Sequence, residues 1–115
     1  MIKKLQNAYY VTRDMNRAVK FYRDVLGLKV KFQDGDNWAQ FDAGGNNVSL
    51  ASLAEAAAGA TGATLILEVS DIAAARTALE QNGAAIVRNR DMGSHGKSLA
   101  FKDPDGNIVE LFQRA

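Results

Sequence analysis

The first half of the chain opens with a β-forming segment and continues with a helical pattern. Residues 5–11 (LQNAYYV) predict a strand that ends at Val11. From Asp14 onward, apolar side chains recur at three- and four-residue steps, which predicts an amphipathic helix that ends before Gly27. Asp14 is placed to accept hydrogen bonds from the free amides of the first turn, and Gly27 suits the left-handed conformation of a helix end.

The second half repeats this order. Residues 63–69 (ATLILEV) predict a strand, Asp71 follows as the helix cap, and Gly83 ends the helical pattern. Asp14 and Asp71 are 57 positions apart, which is half of the 115-residue chain. The chain therefore contains an internal repeat.

Each helix is followed by three β-rich segments that are separated by turn residues. We predict an α+β fold of two βαβββ modules in a single domain, with module one at 1–53, a small-residue linker at 54–62 and module two at 63–115. The linker pattern fits a loop or a short frayed helix. The predicted strands after the two helices cover residues 28–33, 38–42 and 48–53 in module one, and 84–88, 98–102 and 107–113 in module two.

Composition excludes several classes of protein. The chain has no cysteine, which excludes disulfide scaffolds, cysteine nucleophiles and thiolate metal sites. Its 14 basic and 13 acidic residues give a net charge of +1, so neither nucleic acid nor an acidic membrane is an expected partner. No apolar run reaches membrane-spanning length, and no export signal follows Met1, so a soluble cytoplasmic protein is expected.

Two segments resemble a known family. Residues 14–22 (DMNRAVKFY) with 25–28 (VLGL), and residues 102–107 (KDPDGN) with 109–111 (VEL), are similar to the vicinal oxygen chelate superfamily. That superfamily includes glyoxalase I, fosfomycin and bleomycin resistance proteins and extradiol dioxygenases. The resemblance implies that the modules form curved mixed sheets around a cavity, and it specifies the fold more closely than the reaction.

The resemblance also implies four metal-ligand positions in the first, fourth, fifth and eighth strands. In this sequence they fall on Gln6, Ser49, Thr64 and Glu110. Gln6 and Glu110 are acceptable oxygen ligands, whereas Ser49 and Thr64 replace a carboxylate and an imidazole with neutral hydroxyls. We therefore expect no resident cofactor. A divalent metal is the alternative, held by Gln6 and Glu110 with help from Glu68 or from the single histidine, His95.

Several residues have two interpretations at this point. Without a metal, Glu110 is a candidate general base or ligand anchor, or it only accepts internal hydrogen bonds from Gln6 and Thr64. His95 lies in a glycine-flanked loop, where it either borders the cavity or is exposed. Glu68 is expected to be solvated.

Strand alternation assigns side chains to faces. Tyr10 shares the parity of Gln6 and is expected to face the cavity, whereas Tyr9 is expected on the helix side or at a dimer contact. Trp38 and Phe41 have opposite parity, with Trp38 the ligand-stacking candidate and Phe41 a core residue. The arginines at 88 and 90 are interpreted as solvated charges. The candidate ligand-binding residues are Gln6, Tyr10, Trp38, Ser49, Thr64, His95 and Phe112.

Two functions fit these residues. The first is a binding protein that holds a small, aromatic molecule in the cavity of a homodimer without a complete metal site, as the resemblance to bleomycin resistance proteins implies. The second is a metal-dependent lyase, isomerase or dioxygenase relative with a reconfigured site around Glu110. The sequence leaves open whether the protein is an enzyme, and it does not identify the ligand.

Overall fold

The computed structural model describes residues 3–115 of the chain. They form two compact units, with the boundary between Ala63 and Thr64. Each unit has one helical segment and four strands. In chain order these are β1 (Ala8–Thr12), α1 (Met15–Lys20) with a π-helical turn (Phe21–Val25), β2 (Lys29–Asp34), β3 (Trp38–Ala43), β4 (Asn46–Ser52), β5 (Leu65–Glu68), α2 (Ile72–Gln81), β6 (Ile86–Asp91), β7 (Lys97–Lys102) and β8 (Ile108–Gln113).

The two units have the same sheet topology. The strand order is β1-β4-β3-β2 in the first unit and β5-β8-β7-β6 in the second. In each sheet the first strand pairs in parallel with the last, and the remaining pairs are antiparallel. Both sheets also carry an irregularity of register in the second strand, between Val30 and Phe32 and between Ile86 and Arg88. The predicted α+β fold with two βαβββ modules is confirmed.

The core of the first unit lies between its helix and one face of its sheet. Asp14 accepts a hydrogen bond from the Arg17 amide at 3.2 Å, which caps α1 as predicted. The Tyr22 ring lies 5.8 Å from that of Phe41, and both side chains are fully buried. The helix changes to a π-helical turn after Lys20, so the predicted single helix is two segments in the structure.

The second unit repeats this packing with smaller side chains. Asp71 accepts from the Ala74 amide at 3.0 Å, and the Gln113 side-chain oxygen accepts from the Ile72 amide at 2.7 Å. These contacts satisfy free amides of the first turn of α2. The buried apolar side chains of this unit are Ile72, Leu79, Leu99, Ala100, Phe101, Val109 and Leu111.

Some element boundaries differ from the sequence prediction. β1 begins at Ala8 and β5 at Leu65, so Gln6 and Thr64 both precede their strands. β6 extends to Asp91, past the predicted end at residue 88. Residues 54–62 form turns without a helix, and the Ala57 amide donates to the Tyr9 hydroxyl at 3.0 Å. Among residues 3–115, no helix is long and apolar enough to span a membrane.

Candidate functional site

Each sheet has one face that packs on the helix and one that does not, and we call the second the helix-free face. In the first unit, the contact between Phe41 and Tyr22 identifies the helix side. Alternation along the paired strands then places the opposite set of residues on the other face. The helix-free face of the first unit carries Tyr9, Val11, Phe32, Trp38, Gln40, Ser49 and Ala51.

This register contradicts the predicted face of Tyr10 and excludes the helix side for Tyr9. Tyr10 pairs with Leu50 on the helix side and is only 2% exposed, so its predicted position facing the cavity is wrong. Tyr9 lies on the helix-free face, where its ring is 5.6 Å from that of Trp38. The opposite parity of Trp38 and Phe41 is confirmed, since Phe41 is buried in the core.

A chain of hydrogen bonds links three polar side chains on this face. The Ser49 hydroxyl donates to Asn7 Oδ1 at 2.9 Å, and Asn7 Nδ2 donates to Gln40 Oε1 at 3.1 Å. The Trp38 indole nitrogen donates to the same Gln40 oxygen at 3.4 Å. The orientation of both amides is therefore fixed by their partners, because each amide oxygen is already an acceptor.

Asn7 takes the place that the family resemblance assigned to Gln6. Gln6 is exposed and accepts a hydrogen bond from Asn47 through its backbone oxygen, whereas the Asn7 side chain contacts Ser49. The repeat offset of 57 relates Thr64 to position 7. The strand pairing gives the same relation, because Ile66 pairs with Glu110 in the second unit as Tyr9, 57 positions earlier, pairs with Ser49 in the first. That offset was the sequence signal that would have selected Asn7.

The helix-free face of the second unit contains an ion pair. Arg88 Nη2 lies 2.7 Å from Glu110 Oε1, and the Glu110 side chain is 19% exposed. Arg88, Ala100, Glu110 and Ile66 form one row across the four strands. Arg88 is therefore more than a solvated charge, because it pairs with Glu110, for which Gln6 and Thr64 were one of the two interpretations.

A β-bulge brings Arg88 to this row. Regular pairing after Ile86 and Phe101 would place Val87 opposite Ala100 and would turn Arg88 toward the helix side with Leu99. The bulge inserts one residue, so Arg88 pairs with Ala100 instead. Strand alternation in the sequence gives no sign of this insertion, which is why the contact with Glu110 was missed.

The remaining candidate residues lie apart from this ion pair. Thr64 is exposed and precedes β5, and Glu68 is exposed and pairs with Arg114 at 3.1 Å. His95 is exposed at the end of the short 3₁₀ turn Gly93–His95. Phe112 is half-buried in β8. Within either unit, the described residues contain no cluster of three His, Asp or Glu side chains that could hold a metal.

The donor set does not fit a divalent transition metal. Asn7, Ser49 and Thr64 supply only neutral oxygen or amide groups at three of the four positions that the family pattern uses. The fourth residue, Glu110, already binds the Arg88 guanidinium. A metal at Glu110 would have to displace that cation, and no second carboxylate is available within its unit to compensate, because Glu68 pairs with Arg114.

Comparison with known proteins identifies the family. The model of the Glyoxalase/Bleomycin resistance protein/Dioxygenase superfamily matches residues 4–111. The chain belongs to this superfamily. Metallothiol transferase FosB from Shouchella clausii is 29% identical over 96% of this chain and 80% of that protein.

Solved structures of this superfamily have the same fold. TnmS3, an antibiotic binding protein from Streptomyces sp. CB03234, is 25% identical with a TM-score of 0.77, covering 99% of this chain and 98% of that one. The fosfomycin resistance protein FosX from Listeria monocytogenes has a TM-score of 0.80 at 15% identity, covering 100% and 96% of the two chains. The second likeness shows the fold alone.

We predict that Gly96 fixes the position of Phe112. Gly96 has φ 94° and ψ −162°, a region that is open essentially to glycine alone. A Cβ there would lie 2.9 Å from Phe112 Cε1 and would also meet the Gln113 backbone oxygen. Gly96→Ala should lower the free energy of unfolding by roughly 2–4 kcal/mol, measured by urea denaturation.

Gly93→Ala is the matched control. Gly93 also has a positive φ, of 60°, but a Cβ there meets nothing within 4 Å. It should cost only about 1 kcal/mol, from the left-handed backbone. Equal losses for the two variants would show that contact with Phe112 has no part in the effect of Gly96→Ala.

Proposed function

We propose that this protein binds a small aromatic molecule and that it does so without a resident metal ion. The observation that supports this most directly is the helix-free face of the first unit, where an aromatic pair adjoins a hydrogen-bonded amide chain. The ligand is held against the Tyr9 and Trp38 rings and accepts a hydrogen bond from Gln40.

The aromatic pair is fixed before any ligand arrives. The Tyr9 and Trp38 rings are tilted by 59° to one another, and each has a polar anchor at its edge. The Tyr9 hydroxyl accepts from the Ala57 amide, and the Trp38 indole nitrogen donates to Gln40. Side chains that are already ordered lose little conformational entropy when a ligand binds, so this arrangement favours binding.

Gln40 supplies the directional contact. Its Oε1 accepts from both Asn7 and Trp38, and its Nε2 makes no hydrogen bond within residues 3–115. The amide therefore presents two N–H donors that have no acceptor among residues 3–115. A planar ligand with a carbonyl or a ring nitrogen at its edge satisfies these donors.

A metal-dependent lyase, isomerase or dioxygenase function is the less favoured alternative. It requires Glu110 as a ligand or a base, and Arg88 already engages that carboxylate at 2.7 Å. The similar proteins include both kinds of function, since FosB is a metallothiol transferase and TnmS3 is an antibiotic binding protein. The donor chemistry of this chain supports the second kind of function.

We predict that aromatic ligands quench the emission of the chain's one tryptophan, Trp38. A thermal-shift screen of aromatic antibiotics and metabolites should yield stabilising compounds, and fluorescence titration then gives their Kd. Gln40→Glu keeps the oxygen that accepts from Asn7 and Trp38 but replaces the Nε2 donors with an acceptor. It should weaken binding on the order of tenfold.

Gln81→Glu makes the same chemical change at an exposed position at the end of α2. It should leave the Kd unchanged. A screen in which no compound raises the melting temperature or quenches Trp38 would contradict the proposed function.

We predict that the untagged protein shows no stoichiometric site for nickel, manganese, iron or zinc. The reason is the neutral donor set together with the engagement of Glu110 by Arg88. Isothermal titration calorimetry and metal analysis of the purified protein measure this directly. Tight binding of one ion per chain that Glu110→Ala abolishes would instead support the metal-dependent alternative.

We also propose that the protein is a homodimer. Within residues 3–115, five large apolar side chains are at least half exposed, and contact with a second chain would remove apolar surface of this kind from water. Sedimentation at micromolar concentration should give twice the mass of the 12.4 kDa chain. A mass near that of one chain would contradict the proposal. The exposed apolar residues are Leu5, Phe32, Leu53, Ile66 and Val87.

A further inference from the structure

The ion pair between Arg88 and Glu110 spans the width of three strands. Arg88 lies on the edge strand β6 and Glu110 on β8, with β7 between them. Two strand spacings separate their backbones by about 10 Å. The residue between them is Ala100, which is 5% exposed and carries only a methyl group, so the long arginine side chain can cross it.

Glu110 uses only part of the Arg88 guanidinium. The structure records one contact between them, from Nη2 to Oε1, whereas a guanidinium has five N–H donors in a fixed fork. The Arg88 side chain is 51% exposed, so solvent or a ligand can approach the remaining donors. Glu110 at the same time holds the guanidinium in one orientation, which reduces the entropy that a ligand must overcome.

The charges around Arg88 favour an anion. Both carboxylates on this side of the sheet, Glu110 and Glu68, have an arginine partner. Lys102 has the same strand parity as Ala100, and the structure records no ion pair for it within residues 3–115. The net charge of these side chains is therefore positive. Neither carboxylate is left unpaired to repel an approaching anion.

An apolar side chain completes the row. Ile66 pairs directly with Glu110 and is 65% exposed, which is unusual for an isoleucine within a strand. It offers apolar surface next to the charged group. A ligand that matches this row carries an anionic group at one end and an apolar body at the other.

We propose that Arg88 binds the carboxylate group of a small organic acid whose apolar body lies against Ile66. Its free N–H donors form charge-assisted hydrogen bonds with the carboxylate, and Glu110 acts as a positioning residue that holds the guanidinium. This inference goes beyond the proposed function, because it concerns a site that is made of residues of the second unit alone.

The experiment compares benzoate with the neutral, isosteric benzamide. Nitrogen-15 NMR follows two signals during titration, the Arg88 Nε–H and the Trp38 indole N–H. Benzoate should shift the Arg88 signal and bind more tightly than benzamide. Arg88→Met should weaken benzoate binding on the order of tenfold and leave benzamide binding unchanged. Arg88→Lys should restore part of the loss, since it retains the charge but lacks the fork.

Arg76→Met is the matched control. Arg76 forms an ion pair of the same kind with Glu80 along α2, at 3.3 Å, and its loss should not change benzoate binding. Equal affinity for benzoate and benzamide, or benzoate binding that Arg88→Met leaves intact, would overturn the inference. Absence of any benzoate-induced shift at the Arg88 Nε–H would overturn it as well.

The outcomes separate this inference from the proposed function. If both probes shift the Trp38 indole signal but neither shifts Arg88, aromatic binding stands and the carboxylate specificity is wrong. If benzoate shifts Arg88 and no aromatic compound affects Trp38, the function proposed for the first unit is wrong and the anion site of the second unit stands. In that case Arg88 binds the anion independently of the proposed function.

The role of Glu110 has its own readout. Glu110→Gln removes the charge that holds the guanidinium and keeps the shape of the side chain. The heteronuclear NOE of the Arg88 Nε–H should fall in this variant because the side chain becomes more mobile. An unchanged value would show that Glu110 does not position Arg88.

Discussion

The pairing of the first strand of each unit with its last strand is the constraint on which both helix-free faces depend. This pairing is parallel, so it joins segments that are about 40 residues apart and sets which side chains become neighbours. It places Tyr9 beside Ser49 in the first unit and Ile66 beside Glu110 in the second. A shift of one residue would turn every one of these side chains to the helix side.

The two units use this shared frame for different chemistry. In the first unit, Gln40 of β3 lies beside Ser49 of β4, and its amide joins a chain of hydrogen bonds. In the corresponding row of the second unit, that position is Ala100, and a long cation crosses it to reach Glu110. One backbone therefore supports a neutral amide network in one unit and an ion pair in the other, which agrees with the way this superfamily hosts many activities on one fold.

Much of the fold followed from local patterns because local interactions specify it. The capping aspartates, the glycines after the helices and the repeat at an offset of 57 all concern neighbours in the chain, and the structure confirms both caps. The site was less predictable. Tyr10 was assigned to the wrong face because strand parity needs an anchor, and only the contact of Phe41 with Tyr22 shows which parity packs on the helix.

The sequence by itself determined the two βαβββ modules and the aspartate caps of their helices. Tertiary structure alone decided that Asn7 rather than Gln6 contacts Ser49, and that Arg88 reaches Glu110. The physical reason is that helix periodicity and capping act over a few residues. Strand register and a single inserted residue at a bulge are instead settled by long-range pairing, which the local pattern does not encode.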